Sequence, residues 1–127
     1  MDYILDTHTF IWFINGENLS PNLISKIRNL ENNCYLSIAS LWEIAIKTTL
    51  GKLSLQSDFN NIKDFLFANN IEILPITFGH TQELIKLPFH HNDPFDRLII
   101  AQGLTEHLTI LTKDQKFSLY KAMIYWD

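Results

Sequence analysis

Four acidic residues stand where short apolar segments end or where a helix begins. Asp6 closes "YILD", Glu43 lies in "LWEIA", Asp96 in "DPFDRLIIAQ" and Asp114 in "LTILTKD". A carboxylate can act as a helix cap, a general base or a ligand for a hard cation. Taken singly, each has an ordinary structural reading. Asp6 can open a turn or cap the next helix. Glu43 and Lys47 stand at i and i+4, the spacing of a solvated ion pair. Asp114 can cap a short helix near the end of the chain. Asp93, Pro94 and Asp96 supply a cap, a proline at the first helical position and an acid at the third, close to a capping box.

Caps account for Asp93 but do not require the other four acids together. The neighbours of Glu43 are Leu41, Trp42, Ile44, Ala45 and Ile46, so this glutamate is expected to be partly buried. Buried acids are uncommon unless paired or coordinating. Two carboxylates ~4 Å apart repel by ~4 kcal/mol at an effective dielectric of ~20. Four converging acids must therefore protonate, find bases or bind a cation. The chain has only 10 basic residues, few of them near these positions. Oxygen donors without cysteine or a histidine pair suit Mg2+ or Mn2+. A divalent pair held by carboxylates activates water and steadies the leaving oxygen in phosphodiester hydrolysis.

The elements that must position these acids follow from the apolar pattern. "YILD", "CYLSI", "IEILPI" and "LTILT" read as short buried strands, and "KAMIYW" as a fifth. "THTFIWFIN" is helical. Ser20 caps a second helix with Pro21 at its first position, and Leu23, Ile24, Ile27 and Leu30 recur at helical spacing. "ASLWEIAIKTTLGKL" is a helix stopped at Gly51. "SDFNNIKDFLFANN", capped by Ser57 or Asp58, and "TFGHTQELIKL" are helices, as is "DPFDRLIIAQGLTEH" despite Gly103. "KDQKFSLY" is a turn or short helix. Apolar strands alternating with helices imply a parallel sheet covered on both faces. In such folds function gathers beyond the C-terminal ends of the strands, where the acids fall.

At 127 residues, 46% of them hydrophobic, the chain suits one domain, 1–127, with one core. No apolar run reaches the ~18–20 residues of a membrane helix. The N-terminus has no basic n-region and does not read as a signal peptide. The single cysteine, Cys34, excludes an internal disulfide and points to the cytoplasm. A net charge of −4 makes a poor general nucleic-acid binder. Matching the four acids with cations leaves a formal charge of about zero. Lys47, Lys52, Arg97, Lys113 and Lys116 could then contact phosphates, although each is by default a surface charge and Arg97 could instead pair with a carboxylate.

The segments "YILDTHTFIW", "SIASLWEIAIKTTLGKL", "HHNDPFDRLIIAQ" and "LTILTKDQKF" follow in the order and at about the spacing of the PIN-domain family. Over nearly its whole length the chain resembles the toxin ribonuclease of a VapBC-type, type II toxin–antitoxin pair. That resemblance implies a three-layer α/β/α domain with a short, mainly parallel central sheet. It implies Mg2+- or Mn2+-dependent endoribonuclease activity, inhibition by a small cognate antitoxin, and a homodimer. Asp6, Glu43, Asp96 and Asp114 match the family's acids, as metal ligands and catalytic residues. Thr112 matches a hydroxyl beside the site.

With this resemblance in hand, Asp93 is expected to cap its helix and Asp96 to be a ligand. His90 and His91 fall in a loop, where histidines are usually solvated, and His8 is expected to line its helix. Phe10, Trp12 and Phe13 are expected in the core, with a dimer or partner surface as the alternative. Three rivals share features. A receiver-like signalling domain would want an aspartate after the third strand, where "PITFGH" has none. A haloacid-dehalogenase-type phosphatase would want one in place of His8. A non-catalytic partner-binding module on the same fold is the third.

Overall fold

Alternation along the first strand sets the architecture. In the structure, a computed structural model describing residues 1–127, β1 (Asp2–Leu5) sends Tyr3 and Leu5 into one apolar core and Ile4 into another. The other elements are α1 (Thr7–Asn15), α2 (Pro21–Arg28), β2 (Asn33–Ser37), α3 (Ile38–Thr49), α4 (Ile62–Ala68), β3 (Ile71–Leu74), α5 (Phe78–Leu84), α6 (Pro94–Glu106), β4 (Thr109–Leu111) and β5 (Ile124–Tyr125). The strands form one sheet in the order β3-β2-β1-β4-β5, every pair parallel. Helices α1 to α4 cover one face and α6 the other, which is the expected α/β/α arrangement.

Parallel strands buried on both faces read as continuous apolar runs, which is why their positions were legible. Cys34 lies within this core, and burial pushes its thiol up to about 11. Gly103 in α6 has a local reason. A Cβ there would meet Ile110 Cδ1 and Cγ1 at 3.0 Å, so the glycine lets α6 lie close on β4. After α3, Gly51 takes a left-handed φ of 69°, with Lys52 N–H donating to Lys47 O and Gly51 N–H to Thr48 O. These two bonds close the helix as a Schellman turn.

Two segments depart from the expected helices. "FNN" is a separate 3-10 turn at Phe59–Asn61, capped by Asp58, ahead of the shorter α4. Helix α2 ends at Arg28 because Asn29 turns extended, and this leaves Leu30 79% exposed rather than in the core. No helix is long and apolar enough to cross a membrane.

Candidate metal centre

Strands β1 and β4 are neighbours, and their C-terminal ends bring Asp6 and Thr112 together. The Asp6 main-chain N–H donates to Leu111 O, extending the β1–β4 ladder by one bond. Asp6 is 4% exposed, and its carboxylate accepts from Thr9 N–H at 2.8 Å and from the Thr112 hydroxyl at 2.6 Å. The same Thr112 oxygen accepts the Asp114 N–H at 3.0 Å. One hydroxyl thus fixes two acids from distant parts of the chain. Burial raises the Asp6 pKa above the ordinary carboxylate value, and the Thr112 and Thr9 hydrogen bonds offset part of that rise.

Helix α6 delivers Asp96. Asp93 Oδ1 accepts the N–H groups of Phe95 and Asp96, so Asp93 is the cap. The Asp96 carboxylate makes no capping bond. Its Oδ2 lies 3.0 Å from His91 Nε2, and Asp114 Oδ2 lies 3.0 Å from the same nitrogen. The three groups fall within 4.8 Å of one another. Burial first, then the negative charges of Asp93, Asp6, Glu43 and Asp114, push the Asp96 pKa up to about 8. Acids from four segments therefore act on one point.

Glu43, on α3, lies near enough for its charge to act on Asp96 but outside the three groups that fall within 4.8 Å. It is buried, and its Oε2 pairs with Lys47 Nζ at 2.7 Å. Its Oε1 is buried with no partner. A buried acceptor without a donor is rare in folded proteins. An orphaned carboxylate oxygen beside a carboxyl group held near 8 is what an all-oxygen cation site looks like before its cation. The residues present therefore fit a hard divalent ion.

Other positions differ from expectation. His91 is not a solvated loop residue. It is 7% exposed and faces two of the acids. His90 stays exposed, its ring edge-on to Tyr120. Arg97 contacts neither phosphate-facing solvent nor a carboxylate. Its guanidinium is buried, donates to the carbonyls of Pro88 at 2.9 Å and Leu87 at 3.3 Å, and lies over the Phe89 ring. Lys47 is engaged by Glu43. Phe10 and Phe13 are core residues, whereas Trp12 is half-buried and packs edge-on against Trp126. His8 is exposed, and with Asp6, Trp12, Lys113 and Asp114 it lines an open pocket of about 400 Å³. On α3, Ile38, Trp42 and Ile46 are exposed while Glu43 between them is buried.

A family model for the PIN domain matches residues 3–122. The chain belongs to the PIN-domain family. No curated protein matches it. Among solved structures, this PIN domain is similar to a chain of VapBC2 from Rickettsia felis, bound to a DNA fragment from their promoter. The identity is 22%, all of both chains is covered, and the TM-score is 0.76. It is also similar to a chain of DNA-bound VapBC from Salmonella typhimurium, at 16% identity and a TM-score of 0.74, over 98% of this chain and 97% of that one. A chain of FitAcB from Neisseria gonorrhoeae matches at 18% identity and a TM-score of 0.69, over 97% and 96%. At these identities the likeness establishes the fold. The family match removes the receiver-like and dehalogenase-like alternatives.

Proposed function

We propose that this PIN domain, as a single unit over residues 1–127, is a Mg2+- or Mn2+-dependent endoribonuclease. In this reading it is the toxin of a type II toxin–antitoxin pair, acting in the cytoplasm as a homodimer and restrained by a small cognate antitoxin. The observation that carries the catalytic part is the orphaned, buried Glu43 Oε1 among acids that hold Asp96 near 8. The toxin reading draws support from the solved relatives, which are VapBC and FitAB complexes. Exposed Trp42, Phe67, Phe78 and Phe89 offer apolar surface for protein partners.

Asp6, Glu43, Asp96 and Asp114 would hold the ion. A bound divalent cation supplies a water of lowered pKa and charge compensation for the scissile phosphate. The chain's own residues do the rest. Thr112 and Thr9 hold the Asp6 carboxylate at the end of β1. The Asp93 cap fixes the first turn of α6 under Asp96, where the helix N-terminus favours negative charge. Lys47 neutralises one oxygen of Glu43 and leaves the other free. Lys113, His8 and Trp12 line the open side of the acids, where a phosphate and a base could approach.

Cleavage of total RNA by wild type and by Asp96→Asn, each with Mg2+, Mn2+ or EDTA, tests this reading. Discrete fragments from wild type, lost with EDTA and in the variant, are expected. No cleavage together with no Mn2+ binding would favour the partner-binding module instead.

A further inference from the structure

We propose that His91 is a positioning residue that holds Asp114 beside Asp96 through its Nε2–H when no cation is present, and is not itself a metal ligand. The inference rests on the reading of these carboxylates as a cation site. Spacing alone suggests the opposite, because His91 completes a three-residue cluster of ligand atoms. The other ring nitrogen decides the matter. The Asp93 main-chain N–H donates to His91 Nδ1 at 3.2 Å, so Nδ1 presents its lone pair there. The ring hydrogen is then on Nε2, where it is hydrogen-bonded to Asp114 Oδ2 at 3.0 Å, and Asp96 Oδ2 lies at the same distance from the nitrogen. A ligating nitrogen needs a lone pair at the metal, and this tautomer has none to offer at Nε2.

The ring is set in place from several directions. Its main-chain N–H donates to the Tyr120 hydroxyl at 2.9 Å, and that hydroxyl donates to Pro88 O at 2.8 Å. Arg97 holds the carbonyls of Leu87 and Pro88 in the preceding loop. Phe117 packs edge-on against the imidazole, with centroids 5.7 Å apart. A ring so fixed keeps the Asp114 carboxylate hydrogen-bonded within reach of Asp96 before any ion arrives. The donor and a cation perform the same electrostatic task, so each should matter most when the other is missing.

Wild type, His91→Ala and His91→Gln, stripped of metal and then titrated with Mn2+, separate the two roles. Thermal melting and the electron spin-echo spectrum of bound Mn2+ are the readouts. Loss of the donor is expected to lower the metal-free Tm of His91→Ala by roughly 3–6 °C. Mn2+ should then raise that Tm by more than it raises the wild type's. The glutamine amide can place an N–H near the position of Nε2, so His91→Gln should recover much of the metal-free loss, and it carries the test if the alanine variant does not fold. The wild-type spectrum should show no imidazole nitrogen coupling. A nitrogen coupling that vanishes in His91→Gln, with a smaller Mn2+-induced rise in Tm, would make His91 a ligand and overturn the proposal. Identical melting of all three proteins without metal would also overturn it. A wild type that shows no response to Mn2+ in either readout would instead remove the cation-site reading, and this inference with it.

Discussion

Asp93 and Asp96 occupy one helical turn and divide its chemistry. A single Asp93 oxygen takes the N–H groups of Phe95 and Asp96, each at 2.9 Å, and this leaves the Asp96 carboxylate free to face His91 and Asp114. The division yields a prediction. Asn is about as good a cap as Asp, so Asp93→Asn should cost well under 1 kcal/mol, whereas Asp93→Ala should cost about 1 kcal/mol. Both should keep substantial RNA cleavage. Asp96→Asn should abolish cleavage with little loss of Tm. Melting curves beside a cleavage assay check this, and equal loss of activity in Asp93→Asn and Asp96→Asn would refute the division.

The Asp96 pKa near 8 sets a pH dependence whose sign can be worked out. In the unfolded chain this carboxyl titrates near 3.8. Between the two values the folded, metal-free protein binds more protons than the unfolded chain. This contribution to stability is complete below about pH 3.8 and is lost as pH rises through about 8. The slope from this group is at most about 1.4 kcal/mol per pH unit. Asp96→Asn removes it, so the difference in stability between variant and wild type should grow in the variant's favour from pH 5 to pH 8. Divalent ions need the carboxylate, so Mn2+ affinity should rise over the same interval and binding should release a proton. Calorimetry in two buffers of different ionisation enthalpy measures that release.

Thr112 is the next test, because its hydroxyl serves two acids at once. Thr112→Val keeps the shape, but removes the donor to Asp6 and the acceptor for Asp114 N–H. The site is buried, so an unpaired group there costs about 1–3 kcal/mol. Urea denaturation should register that loss, and Mn2+ affinity should fall because Asp6 and Asp114 are no longer held. Thr112→Ser restores the hydroxyl and should recover most of both. Failure of serine to rescue would mean that the threonine methyl, not the hydroxyl, matters.

Much of this is legible in the amino-acid sequence. Strands buried on both faces announce themselves as apolar runs, and caps such as Ser20 and Asp93 mark helix starts by residue type alone. Asp6, Asp96 and Asp114 were legible because they fall at element ends, and Glu43, in the middle of α3, because apolar residues surround it. His91 was not. Its burial depends on Tyr120 and its contact on Asp114, 29 and 23 residues further along the chain, and its tautomer depends on a main-chain N–H. The only local signal was its place two residues before a helix cap. The role of Arg97 is not legible in the sequence for a related reason. A residue type that suits phosphate also suits a fan of carbonyls, and only the path of the loop before α6 decides between them.

That choice can be tested on Arg97 itself. Its guanidinium meets the carbonyls of Pro88 and Leu87 and stacks 4.2 Å from the Phe89 ring centroid, which a lysine ammonium cannot reproduce. Arg97→Lys should therefore destabilise the fold by about 2–4 kcal/mol. If Arg97 acts only on the loop, RNA bound by folded Arg97→Gln, assayed on the cleavage-dead Asp96→Asn background, should keep the wild-type slope of log affinity against log salt. Lys113, exposed at the mouth of the pocket, is the contrasting case. Lys113→Ala should leave stability within about 0.5 kcal/mol and reduce the salt slope by about 0.7, the value for one phosphate contact on a single strand. A reduced slope in Arg97→Gln would return that arginine to the substrate side of the molecule.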